Sequence, residues 1–257
     1  MKRYVLLLFF FLFMQAITSA QGSAGTEAAI EIPNLIDMPT AGVLEKGKVG
    51  VSFYLMPAGV FLTRIDAGVF DGFNIGVSYG ASNFIGTGAP GWYKLPGVSV
   101  KMRIIEETES LPGIAIGFDS QGKGEYDSDL NRFKVKSPGF YAAFSKNYKF
   151  LGFLSLHGTI NYSLENEDGD KDPDISVGIE KTLGSKLSII TEYDFAINDN
   201  ANNSLGDGNG YLNAGIRWAL GSGLTLGFDF RDLLSNKKLN AGAADRALKV
   251  EFIQSIF

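Results

Sequence analysis

His157 is the single histidine of the chain, with Ser155 and Thr159 two residues away on either side. In an extended strand that spacing puts all three on one face. There an imidazole could act as general base toward a hydroxyl nucleophile, and the chemistry would be hydrolysis. If that face lines the inside of a barrel, a lipid substrate cannot reach it. A hydrogen-bonded interior histidine is the reading adopted, and no catalytic residue is assigned.

Two further stretches invite a ligand. "GTGAPG" at 86–91 has the G-x-G-x-x-G spacing of a dinucleotide loop. That spacing works only where a helix begins, so that its first amides meet the pyrophosphate. Pro90 and "GWYKLPG" follow with no helical period, so no cofactor is expected. "ENEDGDKDPD" at 165–174 gathers six carboxylates, the oxygen ligands a calcium ion takes. Their spacing departs from D-x-[DN]-x-[DN]-G, and "DSDLNR" at 127–132 has Arg132 where that loop needs glycine. Both are read as charged, solvated loops and no metal is assigned.

Composition narrows the classes. There is no cysteine, which excludes disulfides, thiol chemistry, thiolate metal sites and a lipoprotein anchor. "MKRYVLLLFFFLFMQAITSA" has a basic start, a short apolar run and small residues before Gln21, the pattern of a secretory signal peptide. Without Lys2 and Arg3 the basic count falls from 23 to 21 against 28 acidic residues, a net of −7. Such a surface does not suit nucleic acid.

The elements that must carry these residues are strands. In "LTLGFDFR" at 224–231 every second side chain is Leu or Phe, and Asp229 and Arg231 fall on the other face. Such alternation marks a strand. Twelve segments alternate this way from Lys48 to the C-terminus, the sixth, "GFYAAFS", least clearly. Five connections are short ("DG", "EETESLPG", "KNYKFL", "KTLGSK", "ALGSG") and the alternate ones are long and polar, the 1–2 turn excepted. Loops sorted by parity put every short turn at one end, as in a transmembrane barrel with short periplasmic turns and long outer loops. A soluble sandwich has no reason to sort them.

The apolar rows lack charge, as lipid contact requires, and several end in aromatics: Tyr79, Phe118, Tyr162, Tyr193 and Phe230 at the loop end, Phe73 and Trp218 at the other. These are expected as interfacial girdles. The opposite rows are then lumen-lining. They carry Arg64, Asp66, Lys101, Arg103, Asp119, His157, Glu180, Glu192, Asp194, Arg217, Asp229 and Arg231, with Lys249 and Glu251 on the last strand. Charge of both signs in a narrow lumen predicts a salt-bridge network that either rigidifies the wall or lines a weakly selective pore.

"NLIDMPTAGVLEKGKVGVSF" runs Met38-Pro39-Thr40-Ala41-Gly42 into the first strand. It resembles the opening of YjbH-like outer-membrane proteins. "GFDSQGKGEY", "KSPGFYAAFSKNY" and "LHGTINYSLE" look like further segments of such barrels, so the likeness spans 34–257. The resemblance implies a role linked to exopolysaccharide. The chain is shorter than the better-known members.

The organisation expected is a signal peptide at 1–20, a periplasmic segment at 21–45 and an all-β outer-membrane barrel of about twelve strands over 46–257. The function expected is non-enzymatic: a passive pore or an envelope accessory without cofactor. Its partners would be outer-membrane lipid, the barrel-assembly machinery and exopolysaccharide or small solutes. An outer-membrane hydrolase and a secreted soluble β-protein are the alternatives.

Overall fold

The computed structural model describes residues 23–28, 30–238 and 244–256. The expected signal peptide lies outside the described residues. Twelve antiparallel strands form the wall: β1 (Lys48–Met56), β2 (Val60–Phe70), β3 (Phe73–Ser82), β4 (Gly97–Ile105), β5 (Gly113–Asp119), β6 (Gly139–Lys149), β7 (Phe153–Tyr162), β8 (Asp174–Thr182), β9 (Leu187–Asp194), β10 (Tyr211–Gly221), β11 (Leu224–Arg231) and β12 (Asp245–Ser255). Each pairs with its neighbours in sequence, and β1 pairs with β12 from Lys48↔Ser255 to Leu55↔Leu248. The sheet is therefore closed and has no free edge, which is what a strand-built protein needs inside hydrocarbon.

Alternation decides which face meets lipid. Along β3, Asn74, Gly76 and Ser78 are buried, whereas Ile75, Val77 and Tyr79 are exposed. The same holds in β11, where Phe228 and Phe230 are exposed and Thr225, Asp229 and Arg231 are buried. Exposed Ile65, Val100, Met102, Ile116, Ile160, Val177, Ile189 and Ile216 continue this apolar coat around the barrel. Aromatic pairs edge it: Tyr79 stacks on Trp92 at 5.8 Å, Phe118 lies 4.8 Å from Phe140 and Tyr193 5.1 Å from Phe195. Short turns close one end. At the β10–β11 turn Ser222 and Gly223 both take positive φ, 52° and 79°, the type I′ geometry that matches strand twist.

Residues 23–28 and 30–44 correct the expectation of a periplasmic segment at 21–45, because they thread the barrel interior. The chain enters at the short-turn end, where Thr26 N–H donates to the Gly184 carbonyl and Gly25 N–H to Ser188 Oγ. It climbs to a tight reversal at Asn34–Pro39, closed by Leu35 N–H on the Met38 carbonyl. It then descends, meets Asn74 through both main-chain groups of Leu44, and leaves for β1 with Gly47 N–H on the Gly68 carbonyl. The segment is a hairpin plug. Its apolar residues Ile32, Leu35, Ile36 and Met38 pack on Ile190, and Ile30 and Leu44 on Ile253. Burying those side chains off the lumen water is what draws the segment inside, at about 25 cal/mol per Å² of apolar surface covered.

The described parts of the long loops fold over the other end. Residues 120–138 contain a β-hairpin, Lys123–Asp127 paired with Arg132–Val135. Its turn is the "DSDLNR" stretch, capped by Asp127 Oδ1 on the Asp129 and Leu130 amides, with Asn131 at φ 48°. Phe133 carries this hairpin onto Tyr54, Met56, Val60, Leu62, Tyr93 and Ala247, an apolar cluster just inside the outer mouth.

Candidate functional site

The charges of the wall serve the plug more than each other. Lys101 Nζ donates to the carbonyls of Pro33, Thr40 and Gly42 at 2.6, 3.1 and 3.1 Å. Arg217 Nη2 reaches the Leu35 carbonyl at 2.8 Å, Arg103 Nε the Ala41 carbonyl at 3.1 Å, and Thr159 Oγ1 the Pro39 carbonyl at 2.6 Å. Glu192 supplies the opposite polarity. Its carboxylate accepts the N–H groups of Ile36, Asp37 and Met38 at 3.0, 2.9 and 3.2 Å, and the Asn213 amide at 2.9 Å. Three successive amides around one carboxylate form an anion nest. A plug without regular pairing thus has its buried backbone groups satisfied by wall side chains, as burial demands.

Other members of the lumen set pair within the wall. Arg64 contacts Asp66 at 2.8 Å and Asp119 at 2.5 Å. Arg217 contacts Asp229 at 2.5 Å and Lys249 contacts Glu251 at 2.6 Å, while Glu251 also accepts Ser23 Oγ. Inward glycines give these groups room: a Cβ on Gly76 would stand 2.1 Å from an Asp66 oxygen, and one on Gly227 would stand 2.7 Å from Arg217 Nη1. Gly178 does this for the plug, since a Cβ there would lie 2.3 Å from Leu35 Cδ1 and 2.9 Å from Met38 Sδ. Asp194 accepts the Ala196 N–H and Glu180 bonds Ser188.

His157 points inward, and its partner is neither flanking residue. Nδ1 lies 2.8 Å from Ser145 Oγ, which itself accepts the Ala41 N–H at 2.9 Å. Ser155 bonds Asn147, and Thr159 bonds the plug. Ser145 sits directly across the β6–β7 pairing from His157, a relation that spacing along one strand cannot show.

The tip of the plug meets the outer loops at Asp37. Its carboxylate receives Arg231 Nε at 2.9 Å and Lys123 Nζ at 3.0 Å, and Lys123 also donates to the Ile36 carbonyl. Above it, Arg132 is buried between Asp168 at 2.6 Å and Asp199 at 2.5 Å, and Lys136 adds a second cation 2.8 Å from Asp168. Asp170 caps the amides of Asn200 and Ala201, and Glu165 accepts those of Phe133 and Ser137. Asp174 accepts the Ile197 amide. Four of the six 165–174 acids are thus buried or main-chain ligands inside a loop lock, not a solvated cluster. Burial alone would raise the Asp168 carboxyl. Hydrogen bonds from Lys136, the Asp170 amide and Arg132 outweigh it and hold the group below its usual range.

Between tip and lock lies a cavity of about 40 Å³ lined by Asp37, Met38, Arg132, Asp174, Glu192, Asp194 and Tyr211. It has room for a few waters. The plug, the apolar cluster and the lock thus fill successive levels of the lumen. Closed around that filling, with apolar rows turned outward, the chain has the architecture of an outer-membrane β-barrel.

Three solved structures are similar to this chain at low identity. The chain is similar to "KdgM porin" (10% identity, TM-score 0.46, 82% of this chain and 99% of that chain covered). It is similar also to the outer membrane protein Omp33 of Acinetobacter baumannii (11%, TM-score 0.45, 80% and 96%). A third is a KdgM porin in complex with disordered oligogalacturonate (10%, TM-score 0.47, 80% and 98%). No protein-family model matches the chain. No curated protein matches it either.

The alternation of the strands marks which charges point inward, but not what they hold. Asp37, Lys123 and Arg132 lie outside the twelve wall strands and escape a reading by the alternation of those strands. One signal was available: "IEIPNLIDMP" is apolar for a segment expected in water.

Proposed function

We propose that this chain is a non-enzymatic outer-membrane barrel for passive passage of small solutes, closed at rest by its own residues 23–44. One observation carries the reading. Wall groups at every level of the lumen, from Glu251 through Lys101 to Glu192, are hydrogen-bonded to that hairpin. These contacts are polar, and water can replace each of them when the hairpin leaves; on the wall its departure uncovers only Ile190 and Ile253 of the two apolar clusters it completes. The His157–Ser145 pair supports the non-enzymatic side of the reading, because the plug covers it through Ala41.

The chain has no native cysteine, and a Cβ on Gly113 would stand 3.7 Å from Ala41 Cβ, inside the roughly 3.5–4.5 Å span of a disulfide. The variant Ala41→Cys/Gly113→Cys should therefore oxidise and hold the hairpin in place. In planar bilayers the oxidised form should stay closed, and reduction should restore openings of the wild-type conductance. Equal open probability before and after reduction would mean that the hairpin is not the barrier.

A further inference from the structure

A second, smaller chamber lies at the outer mouth, between the 123–135 hairpin and the chain at Arg231, Lys237 and Asp245. It is about 30 Å³ and is lined by Lys123, Lys134, Arg231 and Lys237, with Glu125 and Asp245 as the acids. Lys134 is paired with Glu125 at 3.1 Å. The other three cations are less well matched. Lys123 and Arg231 share the single carboxylate of Asp37. Arg231 Nη2 is buried with no hydrogen-bond partner, and its ion-pair distance to the Asp229 carboxylate is 3.9 Å. Lys237 is a buried residue whose ammonium lies 5.0 Å over the Tyr211 ring and pairs with no carboxylate among the described residues. Buried cations are ordinarily paired, since an unpaired charge out of water is expensive.

We propose that this chamber binds an oxyanion group, a carboxylate or a phosphate presented from the outer side, and that its binding unlatches the plug. The inference rests on the plug being the barrier. An oxyanion here takes the free Arg231 N–H and the Lys237 ammonium as donors. It also competes with Asp37 for Lys123 and Arg231, the two cations that hold the tip. A ligand shifts such an equilibrium only by its differential affinity for the two states. That difference is built in, because the cations are shared with Asp37 only while the plug is docked. An oxyanion therefore binds more tightly once Asp37 has left.

The test uses the full chain in planar bilayers and, separately, Met38→Cys in liposomes, where maleimide labelling reports exposure of the buried tip. Inorganic phosphate and glucuronate are added singly at the long-loop side, with chloride at matched ionic strength as control. At least one oxyanion should raise open probability and labelling rate by about fivefold or more, the low end of ordinary coupling between sites. Lys237→Ala should abolish the rise. A response to glucuronate alone assigns the site to sugar carboxylates, and a response to phosphate alone assigns it to phosphoryl groups.

No rise with either anion, an equal rise with chloride, or a full response in Lys237→Ala would overturn the proposal. The two readings fail separately. If reduction of the Ala41→Cys/Gly113→Cys disulfide opens the channel but oxyanions do nothing, passage stands and the anion site falls. If oxyanions speed Met38→Cys labelling while reduction changes nothing, the anion site stands and passage falls.

Discussion

Glu192 holds the tip of the plug by geometry as much as by charge. A carboxylate offers two oxygens with lone pairs to spare, and here they take three amides and the Asn213 side chain. Gln is the same size but has one acceptor oxygen, and its NH2 would face amide donors. Leaving a buried donor unmatched costs about 1–3 kcal/mol, so Glu192→Gln should speed hydrogen exchange at Ile36–Met38 by roughly ten- to hundredfold. Exchange at these amides unchanged from wild type would show that the nest does not hold the tip. That Glu192 points inward follows from its place opposite Ile189 and Thr191 in the alternation. That it binds backbone rather than a cation does not, because its partners lie more than 150 residues away.

At the level of elements, the outer loops behave as one unit built on Arg132. Removing that guanidinium would leave Asp168 and Asp199 buried without their shared partner, a change that costs about 3–5 kcal/mol for a buried pair. Arg132→Ala should therefore make the 123–135 hairpin sensitive to proteinase K on intact cells where the wild type resists. The pH dependence has a definite sign. Asp168 is held below its usual range, so its pairing stabilises the lock above about pH 3.9, the ordinary value for Asp, and is lost as pH falls through the lower folded value. Amides of the loop lock should stay protected from exchange at pH 5 and lose protection only well below pH 4. Protection lost between pH 6 and 5 would point to another group. The parity of loop lengths is readable in the chain, but the folding of loops onto each other is not. "DSDLNR" and "ENEDGDKDPD" look like free acidic loops until Arg132 and Lys136 are placed between them.

For the whole molecule, the lipid-facing assignment is the one on which the others depend. Phe228 is exposed on the outer coat and Thr225 faces inward against Ser23. Arg in hydrocarbon costs about 2–4 kcal/mol near the midplane. Phe228→Arg should thus lower the folded fraction in bilayers more than Thr225→Arg does, measured by heat-modifiable migration on gels. Equal yields would require the sheet to be inside out or its register slipped. The strand count, closure and inward set are legible because period-two alternation is a local signal. The plug is not, because an irregular segment carries no period and its partners come from strands all around the wall.

The position of the hairpin along the chain has a consequence for biogenesis. It precedes β1, which forms the seam with β12, and it bonds to β4, β7, β9 and β10, on different sides of the wall. Ser23 alone is joined to Glu251 across 228 residues of sequence. A sheet that zipped shut first would have to swallow a loop through its open end. The simpler order is that the sheet curls about the hairpin as a mandrel and the seam closes last. Contacts of such long span make for slow folding. Residues that keep the finished barrel shut would then also help to set its girth while it is being made.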